Sequence, residues 1–212
     1  LYKLPYDPIN GIDTVSLAGT GPFIVALHPS VPANNVKELI ALARAKPGTI
    51  NYGSTGTGGI THMTTELFRL MADINIVHVP YKGTGPALND LIAGQIHVVF
   101  GAMLATLPHV KSGRLKGIAV TSPKRSEAAP DMPTVSESGV PGYEVTLWYG
   151  VWGPRGLPRK VVTRWHGELI KVVKSPDMSS QLANEGLEAV GSTPDEFRAH
   201  LKQEVAKWAK GV

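Results

Sequence analysis

The residues with the clearest chemical potential are a run of glycines and small hydroxyl side chains, Gly53-Ser54-Thr55-Gly56-Thr57-Gly58-Gly59. The run follows a short β-type segment and precedes an amphipathic helical pattern. A helix N-terminus presents unpaired N–H groups and partial positive charge, and glycine lets a ligand approach the backbone closely. The pattern therefore predicts a site for a carboxylate or phosphate. The alternative is a tight turn closed by an N-cap, which uses the same residue types.

The spacing of these glycines is not that of a nucleotide-binding motif. No GK[ST] ending follows the run, so it is not a Walker A loop. Neither Gly53, Gly56 and Gly59 nor the Gly56–Gly59 segment fits G-x-G-x-x-G. A small anion is therefore favoured over a nucleotide.

Other chemistry has weaker support. The seven histidines are scattered without a metal-binding pair, and no G-x-S-x-G elbow surrounds Ser54. We interpret His78 and His97 as core or edge residues and His62 as exposed on a helix surface. Lys82 is read either as a partner for a carboxylate or as a solvated lysine. The sequence predicts no catalytic residue, no metal site and no cofactor.

Composition sets broad limits on function. The chain has 212 residues, 42% of them hydrophobic, which is enough for a sizeable core. Its formal net charge of +4 is mild and scattered, so it disfavours nucleic acid and suits small anions. There are no cysteines, which fits an oxidising compartment. No apolar run reaches the roughly 18–20 residues of a membrane span, and with Leu1 in first position we expect a mature or trimmed chain as readily as a cytoplasmic one.

The elements that must position the loop alternate between strand and helix. The pattern predicts a mostly parallel sheet with helices on both faces. Ligands of such sheets lie beyond the carboxyl ends of the strands, where the loops 53–59, 80–85 and 100–103 all contain glycine. The predicted strands are 23–27, 50–53, 74–80, 96–100 and 116–120, and the predicted helices lie between them.

The flanking segments follow different patterns. Residues 1–22 are interpreted as a lead-in, and 123–142 as a long loop around a short helix at 134–138. A partly buried strand is predicted from Tyr143 to Gly153, and helices follow to the end of the chain. Because these last helices have no sheet of their own, the lobe they belong to is expected to be incomplete unless it packs on the first part of the chain.

Segments along the whole chain resemble the Bug-type periplasmic solute-binding proteins of tripartite tricarboxylate transporters. The resemblance includes the glycine loop and continues in register into the C-terminal region. The segments that carry it are 1–8, 36–48, 77–87 (VHVPYKGTGPA), 107–116, 119–122, 125–126, 130–135, 139–143 and 191–194.

The resemblance implies an α/β fold of the type II periplasmic binding protein class, a Venus flytrap of two lobes. It implies that residues 1–19 are a remnant of the first lobe and a crossover, and that 20–147 form the second, ligand-binding lobe. Residues 148–212 would be a crossover strand and C-terminal helices of the first lobe. The opening part of the first lobe would be missing from this chain.

The family's ligand-binding residues are carried over by motif. The capture loop of the second lobe matches Ser54, Thr55, Gly56, Thr57, Gly58 and Gly59, with Thr61 in the following helix turn; Tyr81 and Lys82 match the second loop. Gly101 and Ala102 fall where relatives often carry Asp, Asn or Ser, so a side-chain contact is expected to be absent there.

The implied function is capture of a small organic carboxylate in the periplasm for uptake by the membrane subunits of a tripartite tricarboxylate transporter. No nucleic acid, transmembrane segment or enzymatic step is implied. Two alternatives stay open at this point. One is the ligand-sensing domain of a transcription regulator, which shares the two-lobed plan, and the other is a small hydrolase that uses Ser54 or a histidine.

Overall fold

A computed structural model describes Pro5 and residues 7–209. These residues fold as two compact units. Unit 1 comprises the described residues up to Thr20 and those from Trp148 onward, and unit 2 comprises Gly21–Leu147. The elements are β1 Ile12–Leu27, α1 Val36–Ala45, β2 Asn51–Ser54, α2 Ile60–Met71, β3 Val77–Pro80, α3 Thr84–Ile92, β4 Val98–Ala102, α4 Met103–Lys111, β5 Lys116–Val120, β6 Thr146–Pro154, α5 Arg159–Val173, α6 Pro176–Asn184, β7 Glu188–Ala189 and α7 Pro194–Ala209.

Unit 2 is built on a sheet with strand order β3-β2-β4-β1-β5. β2 pairs in parallel with both β3 and β4. The C-terminal half of β1 lies antiparallel between β4 and β5, with Val25 opposite Phe100 and Ala119. The prediction of a mostly parallel α/β sheet is confirmed, and β1 is its antiparallel member.

Helices cover both faces of this sheet because strand side chains alternate in direction. Val99 packs in a core cluster with Leu91 of α3 and Met103 of α4. The next residue, Phe100, faces the other way and contacts Phe68 of α2, with ring centroids 5.3 Å apart. The apolar residues of β4 therefore hold α2 on one face and α3 and α4 on the other.

Strand β1 begins at Ile12, inside the segment that was interpreted as a lead-in, so that interpretation is wrong. The apolar signal is interrupted because two polar side chains are buried there. Thr14 Oγ1 donates to Pro194 O at 2.8 Å, and Ser16 Oγ donates to Ser192 O at 2.6 Å. These hydrogen bonds to backbone oxygens far along the chain compensate for the burial of the two hydroxyls. A sequence pattern does not show such partners.

The helix predicted at 134–138 is also wrong. The capping pattern exists, since Glu137 N–H donates to Thr134 Oγ1 at 3.0 Å and Thr134 N–H donates to Glu137 Oε2 at 2.9 Å. Only one turn forms, and Ser138 N–H closes it on Thr134 O at 3.1 Å. Gly139 then takes a φ of 119°, outside the helical region, so the turn does not propagate.

Unit 1 has a small core. β6 and β7 both pair with β1, and Gly19 lies opposite Ala189. Leu17, Phe197 and Leu201 form its buried cluster, against which Trp148 packs. The sequence predicted the strand β6 in the C-terminal region but not the short strand β7. Among the described residues, no helix of either unit is both long and apolar enough to cross a membrane.

Candidate anion-binding site

Three helix N-termini open at one edge of the unit 2 sheet. β2, β3 and β4 run in the same direction, and each leads directly into α2, α3 or α4. The preceding residues are Gly59, Gly83 and Ala102, and no side chain in the described part of the chain caps any of the three helices. Their first-turn N–H groups and dipoles therefore point toward one region without a protein acceptor at the cap position.

Three other helices begin with a side-chain cap. Asn35 accepts from Glu38 N–H at the start of α1, and Ser175 accepts from Met178 N–H at the start of α6. Glu196 N–H donates to Thr193 Oγ1 at the start of α7. Among the described helices of unit 2, the three uncapped N-termini all lie at the carboxyl edge of the parallel strands, where ligands of α/β sheets bind. In unit 1, α5 also begins without a side-chain cap.

The β2–α2 loop is held by its own hydroxyl groups. Thr55 N–H donates to Thr61 Oγ1 at 2.8 Å, and the hydroxyls of Thr55 and Thr61 lie 2.9 Å apart. Gly56 N–H donates to Ser54 Oγ at 3.1 Å. Gly56 has a φ of 128°, a conformation that glycine adopts without strain. Thr57 is exposed at the tip of the loop. The hydrogen bonds therefore bring Ser54, Thr55, Gly56 and Thr61 together, as the sequence predicted.

Two histidines support this loop from beneath. The ring centroids of His62 and His78 lie 4.0 Å apart, and those of Tyr52 and His78 lie 5.0 Å apart. His78 Nε2 lies 2.6 Å from Ser54 Oγ, and Gly58 N–H donates to His62 Nδ1 at 3.2 Å. His78 is on the edge strand β3, in agreement with its interpretation as a core or edge residue. The prediction that His62 is exposed is wrong, because it is half-buried in this ring stack.

Below the stack, Tyr52 and Glu66 form a charged network with Arg69. Tyr52 Oη donates to Glu66 Oε1 at 2.6 Å, and Arg69 lies 2.8 Å from Glu66 Oε2. Burial alone would raise the pKa of Glu66, but the hydrogen bonds from Arg69 and Tyr52 outweigh it and lower the pKa. Burial, assisted by the Glu66 hydrogen bond, raises the pKa of Tyr52. Burial, followed by the charge of His62, lowers the pKa of His78.

The β3–α3 loop brings backbone N–H groups and the charge of Lys82 to the candidate site, whereas the hydroxyl of Tyr81 is already bonded. Tyr81 Oη donates to Asp90 Oδ2 at 2.7 Å; burial, with this bond, raises the pKa of Tyr81 to about 12. Tyr81 N–H donates to Ser54 O at 3.0 Å and ties this loop to the first one. The Lys82 side chain is exposed beside the N-terminus of α3.

Gly101 and Ala102 end β4 and open α4. A Cβ atom on Gly101 would collide with Thr106 Oγ1, and it would lie 3.3 Å from Thr106 Cβ. Thr106 is fully buried, and its hydroxyl has no hydrogen-bond partner in the described structure. The absence of a side chain at position 101 therefore has a steric cause in α4.

The structure gives Ser54 a neighbouring base that the sequence did not reveal, since His78 is 24 positions away. Ser54 is nevertheless 1% exposed, and its Oγ also lies 3.2 Å from Gly56 O. A nucleophile must face its substrate, whereas this hydroxyl is turned into the loop. No cluster of three or more His, Cys, Asp or Glu suited to a metal occurs within the described ranges.

Comparison with known proteins identifies relatives along the whole chain. A family model described as "Tripartite tricarboxylate transporter family receptor" matches residues 1–212. The "UPF0065 protein in tcbD-tcbE intergenic region" of Pseudomonas sp. (strain P51) is 31% identical over 98% of this chain and 62% of its own length. Protein BugT of Bordetella pertussis is 31% identical over 98% of this chain and 64% of its own length. The chain thus spans less than two thirds of these relatives.

Solved structures give the same assignment. The structure titled "R. palustris Rpa4515 with adipate" is 34% identical with a TM-score of 0.93, covering 98% of this chain and 70% of that one. Periplasmic binding protein BugD is 32% identical with a TM-score of 0.92, covering 99% and 71%. The fold is therefore that of periplasmic binding proteins. On the family match and these likenesses, the chain belongs to the tripartite tricarboxylate transporter receptor family.

Proposed function

We propose that this chain is the larger part of an extracytoplasmic solute-binding protein that captures a small organic carboxylate. The observation that carries the proposal is the convergence of three uncapped helix N-termini at one sheet edge. Such N–H groups stabilise an anion through hydrogen bonds and through the helix dipole. The exposed Lys82 and the net charge of +4 favour the same sign of ligand.

The class of ligand is argued from a relative and from the loop. The relative Rpa4515, 34% identical to this chain, was solved with adipate, a dicarboxylate. In this chain the capture loop and the first turn of α2 offer the hydroxyls of Thr55, Thr57 and Thr61 and the uncapped N–H groups of that turn. These donors match carboxylate oxygens. The N–H groups of Gly56, Gly58 and Gly59 are bonded within the protein and hold the loop in shape. Tyr81 adds an aromatic ring rather than a hydroxyl, because Asp90 holds its Oη.

The family's plan suggests how the two units contribute. In this proposal unit 2 is the second lobe, and the described part of unit 1 belongs to the first lobe. The opening segment of that first lobe would lie in the part of the relatives that this chain does not span. The protein would work in the periplasm and deliver its ligand to the membrane subunits of a tripartite tricarboxylate transporter.

Capture without chemistry is favoured over hydrolysis. The Ser54–His78 contact is the one observation that favours an enzyme, and the burial of Ser54 opposes it. No carboxylate hydrogen-bonded to His78 is found in the described structure to orient it as a base. Relatives of this family, such as BugD, are binding proteins.

A thermal-shift panel of mono-, di- and tricarboxylates tests the proposal. It should be run on this chain and on an N-terminally extended version. A ligand present at 100 times its Kd stabilises by about 2.7 kcal/mol, which corresponds to a rise in Tm of roughly 5–10 °C for a chain of this size. We expect adipate or another small dicarboxylate to give such a shift in the extended version.

Gly56→Val should abolish that shift, because a β-branched residue is strained at a φ of 128° and blocks access to the amides. Gly113→Val is the matched control. It has a φ of 73° and open space around it, at the opposite end of α4 from the loop. This control is expected to lower Tm and to keep the ligand-dependent rise. Normal binding by Gly56→Val would contradict the assignment of the loop.

A further inference from the structure

The capture loop rests on two imidazoles that face each other. His62 comes from the first turn of α2, and His78 comes from β3. Each contacts a different point of the loop, Gly58 and Ser54 respectively. The two rings are half-buried, and their centroids are only 4.0 Å apart. The loop is thus supported by two imidazoles whose hydrogen bonding changes when a ring nitrogen gains a proton.

The contact with Gly58 fixes the protonation of His62. The donor is the backbone N–H of Gly58, so His62 Nδ1 must carry a lone pair and no proton. Neutral His62 satisfies this condition as the Nε2–H tautomer. A second proton on His62 would occupy Nδ1 and turn the acceptor into a donor, which breaks this hydrogen bond.

The contact with Ser54 links His78 to the same loop. Ser54 Oγ accepts from Gly56 N–H and lies 2.6 Å from His78 Nε2. His78 therefore holds the hydroxyl that in turn holds Gly56. One histidine fixes the start of the loop and the other fixes the end, on either side of the exposed Thr57.

The surroundings of the two imidazoles act in both directions on the protonation of His78. Tyr52 of β2 stacks on His78 and donates its hydroxyl proton to Glu66 of α2. Glu66 favours charge on His78, but its own charge is matched by Arg69. Burial and the facing His62 both disfavour charge on His78 and lower its pKa. The contribution of neutral His78 to the free energy of unfolding is therefore complete above about pH 6.5, the pKa of histidine in the unfolded chain. It is lost as the pH falls from that value through the lower pKa of the folded chain, because the unfolded chain then binds the proton more readily.

We propose that His62 and His78 are positioning residues for the capture loop, so that protonation of His62 at Nδ1 frees the N–H of Gly58 and weakens retention of the bound anion. This inference rests on the proposed function for its consequence, but its structural part concerns the loop alone. It predicts that the loop retains its ligand less tightly under mildly acidic conditions.

The first test reads the loop without ligand. NMR of the ¹⁵N-labelled chain is expected to show the Nε2–H tautomer of His62 at pH 7.5. The Gly58 amide should lose at least tenfold in protection from hydrogen exchange between pH 7.5 and pH 5.0. A neutral His62 with the proton on Nδ1, or constant protection of Gly58, would overturn the proposal.

Two substitutions separate the hydrogen bond from the ring. His62→Asn keeps an oxygen acceptor near the position of Nδ1 but does not titrate, so Gly58 protection should be independent of pH. His62→Phe keeps the stacked ring but has no acceptor, so protection should be low at both pH values. A fall in Gly58 protection in His62→Asn equal to that of the wild type would contradict the role of the imidazole.

The second test measures adipate binding by calorimetry in the N-terminally extended protein at pH 7.5 and pH 5.0. Adipate itself takes up protons in this range, and this effect is common to both proteins. The ratio of Kd at the two pH values should be at least tenfold larger in the wild type than in His62→Asn. Equal ratios would refute control of retention by protonation of His62. Absence of adipate binding at pH 7.5 would count against the proposed ligand class, while the Gly58 measurements would still decide the positioning role.

Discussion

Gly101 shows how a single missing side chain sets the geometry at the end of a strand. Its backbone lies against Thr106, whose hydroxyl fills the space that a Cβ atom would need. Thr106 is fully buried and lacks a hydrogen-bond partner among the described residues, so the contact is tight and carries no polar compensation. A side chain at position 101 is therefore excluded by the packing of α4 against the end of β4.

Gly101→Ala is expected to lower the free energy of unfolding by about 1–3 kcal/mol, the usual cost of overpacking a core. Thr106→Ala removes the colliding hydroxyl, so the same glycine substitution should cost much less in that background. Urea unfolding of the two single variants and the double variant gives the coupling energy. Gly167→Ala, with open space around it inside α5, is the control and should not destabilise. Additive effects of Gly101→Ala and Thr106→Ala would contradict the steric explanation.

At the scale of elements, the helices of this chain differ in how they begin. α1, α6 and α7 have side-chain caps, whereas α2, α3, α4 and α5 start without one. Relative to Ser or Asn at the cap position, alanine lowers helix stability by about 1 kcal/mol and glycine by only a few tenths of a kcal/mol. The cap residues of α2 and α3 are glycine and that of α4 is Ala102, so the largest loss falls on α4. These three helices open onto the proposed ligand, which would supply the missing acceptor.

Some of these beginnings can be predicted from the sequence and others cannot. Asn35 with Glu38 and Thr193 with Glu196 follow the spacing of helix caps, because both partners lie within one turn. The glycine loop stayed ambiguous between a capped turn and an anion site. In the structure none of its hydroxyls caps α2, and Ser54 Oγ lies against His78, 24 positions away in the sequence. That pairing depends on the register of β2 against β3, which local residue patterns do not contain.

Ala102→Ser tests whether the uncapped starts trade stability for binding. Ala102 has φ −53° and ψ 137°, a cap-like conformation, so a serine hydroxyl can accept from the first turn of α4. We expect the unfolding free energy to rise by about 1 kcal/mol, a gain of roughly 2–4 °C in Tm, together with weaker stabilisation by dicarboxylates. Asn35→Ala, which removes the existing cap of α1, should lower Tm by a similar amount and leave the ligand-dependent shift unchanged. A stabilised Ala102→Ser variant with undiminished ligand response would mean that α4 does not face the anion.

At the scale of the molecule, the two units have unequal cores. Unit 2 buries side chains on both faces of its sheet. In unit 1, α5 buries only Val173, and α6 buries no residue among those described. Trp152 and Trp165 are 49% and 60% exposed and line an apolar cavity of about 250 Å³ within that unit. Exposed aromatic surface of this kind is typical of a face that another segment covers.

This asymmetry predicts different stabilities that intrinsic fluorescence can report, since all four tryptophans lie at or after Trp148. On heating, the tryptophan signal should change at a lower temperature than the main far-UV circular dichroism transition, because hydrophobic burial scales with the apolar area removed from water. An N-terminally extended protein should bring the two transitions together and shift tryptophan emission to shorter wavelength, as Trp152 and Trp165 become covered. Coincident transitions in the present chain would show that unit 1 is as stable as unit 2 despite its small core. An emission maximum unchanged by the extension would show that the preceding segment does not cover this face.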